Sequence, residues 1–359
     1  MDNNKIKVLV VDDSAFMRKS LSIMLESDPA IEVIATAMDG LDGLNKVKNL
    51  KPDIITLDIE MPRMDGLTAL KHIMKQSPTP VIMVSSLTTE GADETLKALD
   101  LGAVDFIPKA SSFVSVAIAS IKEDLIRKVK AFAKNKKRVV TRLNTFHNRN
   151  TGNNTIKSTH VNNNIKALPK GNYRAVVLGI STGGPISLQK VVPVLSSKLN
   201  VPTFIVQHMP PKFTASLAQR LNNMSSLHVK EAENNEIVKN GVVYIAPGGM
   251  HMTLRKNGMN VSISVSEMPN GTLHRPSVDV LFESAEKVYG KNVLSVIMTG
   301  MGRDGLEGVK KLKAVGAHCI AQEESSCVVY GMPKAIVENG LADTIAPLEE
   351  IPNIINKAV

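Results

Sequence analysis

Four charged residues at strand ends offer the first chemistry in this chain. Asp12 and Asp13 close the apolar run Lys7-Val8-Leu9-Val10-Val11, Asp58 closes Asp53-Ile54-Ile55-Thr56-Leu57, and Lys109 follows a third apolar run. Continuous apolar runs of this kind read as buried strands of a parallel sheet. In an open parallel sheet the carboxyl ends of the strands form the ligand crevice, so residues far apart in the chain can share one site. Three carboxylates gathered there repel one another unless a cation joins them. Mg²⁺ suits such a site because it takes hard oxygen ligands and keeps several waters, and with the ammonium it would neutralise an incoming phosphoryl group.

A second set lies further on. Gly179-Ile180-Ser181-Thr182-Gly183-Gly184-Pro185 sits between an apolar strand and a helix. As a dinucleotide fingerprint it fails, since Ser181 replaces the second glycine and no acid follows about 20 residues on. As a turn, Ser181 would only cap a helix. As G-x-S-x-G it is a nucleophile elbow that presents the hydroxyl near a helix N-terminus. A serine hydroxyl is a weak nucleophile at neutral pH, so that reading requires a base and a group to orient it. His208, in Val206-Gln207-His208-Met209-Pro210-Pro211, and Asp304, in Thr299-Gly300-Met301-Gly302-Arg303-Asp304-Gly305, follow later strands. Taken singly, one is an ordinary loop histidine and the other a helix cap. His251 and His274 lack metal-ligand spacing and read as structural or substrate-surface groups.

The elements that must position these groups form two series. Strands are expected near 6–11, 32–36, 53–57, 80–84 and 103–107, each followed by a helical pattern, which argues for a doubly wound α/β sheet. A second α/β series has strands at 175–179, 203–206, 242–245, 293–298 and 318–321, with helices near 213–222, 278–289, 304–315 and 333–339. A hairpin, His251 to Arg255 against Val261 to Val265 across Asn257-Gly258, interrupts it. The expected organisation is thus a domain at 1–125, a basic, Asn-rich linker at 126–171 and a second domain at 172–359.

The 359 residues suit about two domains. With eight Phe, four Tyr and no Trp, the cores must be built from aliphatic residues and Met. The net charge of +9 suggests a nucleic-acid partner, but residues 122–174 carry fourteen Lys and Arg against two acids, and the remainder of the chain is slightly acidic. Neither a recognition-helix module nor an aromatic and basic stacking surface is evident, so no nucleic acid is expected. Apolar runs fall short of a membrane span and the N-terminus does not read as a signal peptide, so a cytoplasmic protein without membrane insertion is expected. Cys319 and Cys327 read as reduced, buried thiols.

Asp12, Asp13 and Asp58, the loop Met61-Pro62-Arg63-Met64-Asp65-Gly66, Ser85 and Lys109 together resemble the receiver domain of two-component response regulators over about residues 5–125. The resemblance implies a flavodoxin-like five-stranded parallel sheet. It makes Asp58 the phosphoacceptor, with Asp12, Asp13 and Asp58 holding Mg²⁺, Ser85 sensing the phosphoryl oxygens and Lys109 pairing with them. In one departure, Pro108 precedes Lys109 and Ala110 follows it, whereas receivers place Pro after the Lys; this bears on the cis peptide expected there.

The whole chain outside the linker resembles the chemotaxis response regulator protein-glutamate methylesterases. The motifs are Gly179 to Pro185, Gln207 to Pro211, Ile245-Ala246-Pro247-Gly248, His274-Arg275-Pro276-Ser277-Val278-Asp279, Met298 to Gly305, and Ser326-Cys327-Val328-Val329-Tyr330-Gly331-Met332-Pro333. The chain order Ser, His, Asp differs from that of α/β-hydrolases. The resemblance implies a mostly parallel second sheet, a Ser181, His208 and Asp304 triad with no cofactor in that domain, and the Met301 backbone N–H as an oxyanion donor. It further implies methylated chemoreceptors as substrate, glutamine deamidation, a chemotaxis histidine kinase as phosphodonor, and recruitment to membrane receptor clusters. Rival readings are a nucleic-acid-binding regulator acting through the linker and a hydrolase of small esters.

Overall fold

The structure, a computed structural model, describes residues 5–109, 115–134, 168 and 172–359. The chain divides into two compact units, Met1–Ser158 and Thr159–Val359. Most of the expected linker, and the peptide that follows Lys109, lie outside the described residues.

The first unit runs β1 (Ile6–Val11), α1 (Ala15–Glu26), β2 (Ile31–Ala37), α2 (Gly40–Leu50), β3 (Ile54–Asp58), α3 (Gly66–Gln76), β4 (Val81–Ser85), α4 (Thr89–Asp100), β5 (Asp105–Pro108) and α5 (Ser115–Lys134). All five expected strands are present. They form one parallel sheet in the order β2-β1-β3-β4-β5. Every residue of β3 and β4 is buried, as a strand covered on both faces requires. The first four helices start on side-chain caps: Ser14, Asp39, Asp65 and Thr88 each accept from a backbone N–H of the following turn. The chain reverses direction across the sheet between β1 and β3, and Asp12 and Asp58 stand at those two strand ends.

The second unit runs β6 (Ala175–Ile180), α6 (Gly184–Val191), β7 (Thr203–Gln207), α7 (Phe213–Met224), β8 (His228–Glu231), β9 (Val242–Ile245), β10 (His251–Asn257), β11 (Asn260–Ser266), α8 (Val278–Tyr289), β12 (Val293–Ile297), α9 (Leu306–Ala314), β13 (His318–Gln322), α10 (Met332–Glu338), β14 (Thr344–Ala346) and α11 (Ile351–Ala358). Seven strands form a sheet in the order β14-β13-β12-β6-β7-β9-β8, and every pairing in it is parallel. The antiparallel pair is a separate two-stranded sheet, β10 with β11, held against α8 where Leu254 N–H donates to Ser284 Oγ at 3.0 Å. Its turn sits one residue later than Asn257-Gly258. Asn257 pairs with Asn260, so Gly258 and Met259 are the central residues, and Gly258 takes the positive φ of 59° that such a turn requires.

The core of this unit is aliphatic, with Phe204 stacked on Tyr244 at 5.5 Å and Phe282 of α8 fully buried among them. The β6 strand comes first in the chain and lies inside the sheet. Later strands add on both sides of it, which leaves a crevice at the carboxyl ends of β12, β6 and β7.

Candidate active site

Ser181 follows β6 directly and His208 follows β7. Ile180 pairs with Gln207, so the two residues are one step past a shared register on neighbouring strands. His208 N–H donates to Ile180 O at 3.2 Å. The buried Gln207 amide ties the two ends together, its Nε2 donating to Ser181 O and to His208 O at 3.1 Å each. From the other neighbour, β12, Thr299 O accepts from Ser181 N–H at 3.0 Å. The buried Thr299 hydroxyl accepts from Val328 N–H and Val329 N–H, which anchors the 326–333 motif beside the serine. Gly300 packs against Ser181 so closely that a Cβ there would lie 2.8 Å from Ser181 Cβ and overlap Met332 Sδ. Met301 is the next residue in that loop and is buried.

His208 Nε2 is 2.8 Å from Asp304 Oδ2, and the two side chains are 9% and 10% exposed. Asp304 does not cap its own helix. It sits across the start of α8, where Val278 N–H donates to Oδ2 at 2.8 Å, and Asp279 N–H and the Ser277 hydroxyl each donate to Oδ1 at 3.0 Å. A helix N-terminus is a natural seat for an anion. Burial alone would raise the Asp304 pKa. The His208 hydrogen bond and charge, with the backbone donors of α8, outweigh it and hold the carboxyl well below the usual range. Its neighbour Asp279 goes the other way: burial, reinforced by the Asp304 charge and opposed by Gly308 N–H, pushes it up to about 6.

Among the described residues the buried His208 Nδ1 has no hydrogen-bond partner, so the imidazole is bonded to the acid and not to the Ser181 hydroxyl. The His274 ring stacks on His208 with centroids 4.2 Å apart and planes at 24°. His251 is fully buried, as a structural reading expects. Gln207, Thr299 and Ser277 were not singled out by sequence reasoning. Only Ser277 carried a usable signal, as a serine directly before an apolar helical run.

In the first unit Asp12, Asp13 and Asp58 each present an oxygen within 4.8 Å of the others. Lys109 Nζ is 2.7 Å from Asp58 Oδ2 and 3.8 Å from Asp12 Oδ2. Burial, with the charge of Asp58, pushes Asp12 up to about 6 against the pull of Lys109. Asp58 is raised as well, by burial that Lys109 only partly offsets. Burial works against the Lys109 ammonium, but Asp58 and Asp12 outweigh it and raise its pKa. Asp12 Oδ2 is buried without a hydrogen-bond partner among the described residues. Crowded, half-compensated carboxylates of this kind fit a hard divalent cation. Ser85 ends β4, and its carbonyl accepts from Lys109 N–H at 2.6 Å, but its hydroxyl donates to Gly91 O at 3.0 Å and not toward Asp58. Gly66 presses on the same site, since a Cβ there would overlap the Asp58 carbonyl oxygen.

Residues 176–355 match the CheB methylesterase family and residues 8–119 the response regulator receiver domain. A protein of Oleidesulfovibrio alaskensis named protein-glutamate methylesterase/protein-glutamine glutaminase 1 is 48% identical, over 99% of both chains. A Pyrococcus horikoshii protein named protein-glutamate methylesterase/protein-glutamine glutaminase is 44% identical, over 99% of this chain and 94% of its own. The crystal structure of the Thermotoga maritima CheB methylesterase catalytic domain is 43% identical, with a TM-score of 0.51, covering 52% of this chain and 99% of that one. With matches over its full length and a family match across its second half, the chain belongs to the CheB methylesterase family, with a response regulator receiver domain ahead of the methylesterase domain.

Proposed function

We propose that this chain is a phosphorylation-regulated serine hydrolase that demethylates glutamate methyl esters on chemoreceptors and deamidates receptor glutamines. The observation that carries the hydrolase reading is the His208 Nε2 to Asp304 Oδ2 bond of 2.8 Å beside the strand end that bears Ser181. That bond leaves Nδ1 as the ring nitrogen able to accept the Ser181 proton. Ser181 Oγ attacks the ester carbonyl as His208 takes its proton. The tetrahedral adduct collapses when that proton passes to the leaving methoxide, which departs as methanol. Water, deprotonated by the same imidazole, then releases glutamate and restores the Ser181 hydroxyl. Asp304 fixes the tautomer and stabilises the imidazolium, and an amide loses ammonia by the same route. The Met301 backbone N–H is the proposed oxyanion donor.

In the receiver, Asp58 is the phosphoacceptor, supplied by a chemotaxis histidine kinase. Asp12, Asp13 and Asp58 would hold Mg²⁺, which when bound offsets the charge of the phosphoryl oxygens. Lys109 pairs with those oxygens, and Ser85 would have to exchange Gly91 O for them. Among the described residues no helix is long and apolar enough to cross a membrane. The protein is read as cytoplasmic and recruited to receptor clusters, with the domain limits at about 125 and 172.

The test is methanol release from membranes bearing methylated receptors, with and without a phosphodonor and Mg²⁺. Wild type should release methanol faster with the phosphodonor, and Ser181→Ala should lose at least about 10³-fold. A Ser181→Ala protein retaining more than about a tenth of wild-type turnover would exclude serine catalysis.

A further inference from the structure

His251 is the most enclosed imidazole in the second unit's site region, with a relative exposure of 0%. It begins β10 and makes no contact with Ser181 or His208 among its hydrogen bonds. Both ring nitrogens are engaged. Nε2 meets Thr272 Oγ1 at 3.1 Å, and Nδ1 accepts from Ser277 N–H at 3.3 Å. A bare Nδ1 fixes the tautomer, so Nε2 carries the proton, with Thr272 Oγ1 and the Pro269 carbonyl as its acceptors. Burial, followed by the nearby Arg275 charge, lowers the His251 pKa, which agrees with a neutral ring.

Besides the Pro269 backbone, the two residues it grips are the ends of one short segment, Thr272 to Ser277. Between them, His274 lays its ring on His208 at 4.2 Å. At the far end, the Ser277 hydroxyl donates to Asp304 Oδ1 at 3.0 Å. A third tie, Gly249 N–H to Arg275 O at 3.1 Å, joins the middle of the segment to the chain leading into β10. One buried imidazole therefore holds a strap that touches the base on its face and the acid on its outer oxygen.

We infer that His251 is a positioning residue for the hydrolase site, clamping the segment Thr272 to Ser277 so that His274 and Ser277 hold His208 and Asp304 in their paired geometry. This rests on the hydrolase reading given above. Because His251 touches no reacting atom, its loss acts on kcat through misalignment and leaves substrate affinity in place. Small displacements of a catalytic pair are costly, up to about 10²-fold for a shift near 1 Å.

The two nitrogens can be tested separately in the full-length protein. Gln reaches toward the Nε2 position and keeps a partner for Thr272, whereas Asn keeps an acceptor at the Nδ1 position for Ser277 N–H. His251→Gln should lower kcat for methanol release about tenfold with KM within about twofold, and His251→Asn should recover to within about threefold of wild type. The second readout is independent of turnover: the low-field proton resonance of the His208 Nε2–H to Asp304 bond should shift or broaden in His251→Gln and return in His251→Asn. If His251→Gln does not fold, His251→Leu keeps the buried bulk but neither nitrogen, and the ring-current shift of His274 on the His208 signals should change. Wild-type resonances and wild-type kcat in the folded variants would overturn the inference, as would a change confined to KM. A Ser181→Ala control that stays active would instead overturn the serine reading, and the resonances would still decide the role of His251.

Discussion

The Ser277 hydroxyl donates to Asp304 Oδ1 at 3.0 Å, so the carboxylate bonded to His208 is seated on the first turn of α8 and not on the helix that follows it in the chain. With Val278 N–H and Asp279 N–H it has three donors from that turn in addition to the imidazole. This explains how a buried carboxylate stays ionised beside a second one.

Asp304→Asn keeps the shape of the side chain but offers His208 an amide where it had an anion. The wrong tautomer is then as good as the right one, and kcat for methanol release should fall about 10³- to 10⁴-fold. Retention of more than about a tenth of the activity would show that Asp304 does not set the tautomer.

Ser277→Ala removes both the Asp304 donor and the α8 N-cap, in which Ser277 Oγ accepts from Val280 N–H at 3.4 Å. Urea unfolding should report a loss of about 1 kcal/mol, the usual cost of a missing serine cap. An unchanged midpoint would mean that water replaces the hydroxyl without penalty.

Asp279, raised to about 6, gives a pH signature. Its protonated form is favoured by folding, so its contribution is fully present below the unfolded carboxyl pKa of 3.8 and is lost as pH rises toward 6. Asp304 behaves oppositely: its stabilising effect exists above 3.8 and fades only as pH falls below it. Asp279→Asn, which can still accept from Gly308 N–H, should therefore gain stability relative to wild type as pH increases from about 4 to about 6.5. Urea midpoints of both proteins across that range decide it. A difference that is flat with pH rules out the shift.

Gly300→Ala puts a methyl group against Ser181 Cβ and Met332 Sδ. Overpacking of this kind costs about 1–3 kcal/mol, and here the displaced atom carries the proposed nucleophile. Thermal unfolding should drop and methanol release should drop further than stability explains. Wild-type turnover would mean that the serine turn yields without harm.

Asp58→Asn should abolish acid-labile phosphate incorporation from a small phosphodonor, and chelation of Mg²⁺ should do the same to wild type. Lys109→Met should also impair it, because the ammonium 2.7 Å from Asp58 Oδ2 is the fixed cation of that site. Incorporation into Asp58→Asn would move the acceptor to another residue.

Sequence was enough for both folds and for the residues that end buried strands. Val8 to Val11 and Ala175 to Ile180 have the unbroken apolar pattern that a parallel sheet demands, and the polar residue after each is displayed at the rim. Two edge strands escaped. His228–Glu231 has polar or charged residues at three of four positions, and Thr344–Ala346 is only three residues long. Neither pattern differs from a loop. The Asp304 seat escaped for another reason. It depends on α8 arriving across the sheet, and no local spacing links residue 304 to residue 277. His251 reads as a hairpin residue in sequence, and only packing reveals that it is enclosed.

Seating Asp304 on the first turn of α8 also sets the order in which heat should act. Helix ends open at far lower free energy than a central sheet. When that turn opens, the carboxylate loses three donors at once while β6, β7 and β12 remain paired. Inactivation should accordingly run ahead of melting, so a thermal activity curve would fall several degrees below the calorimetric one. On the proposed triad, the clock on catalysis is one helical turn.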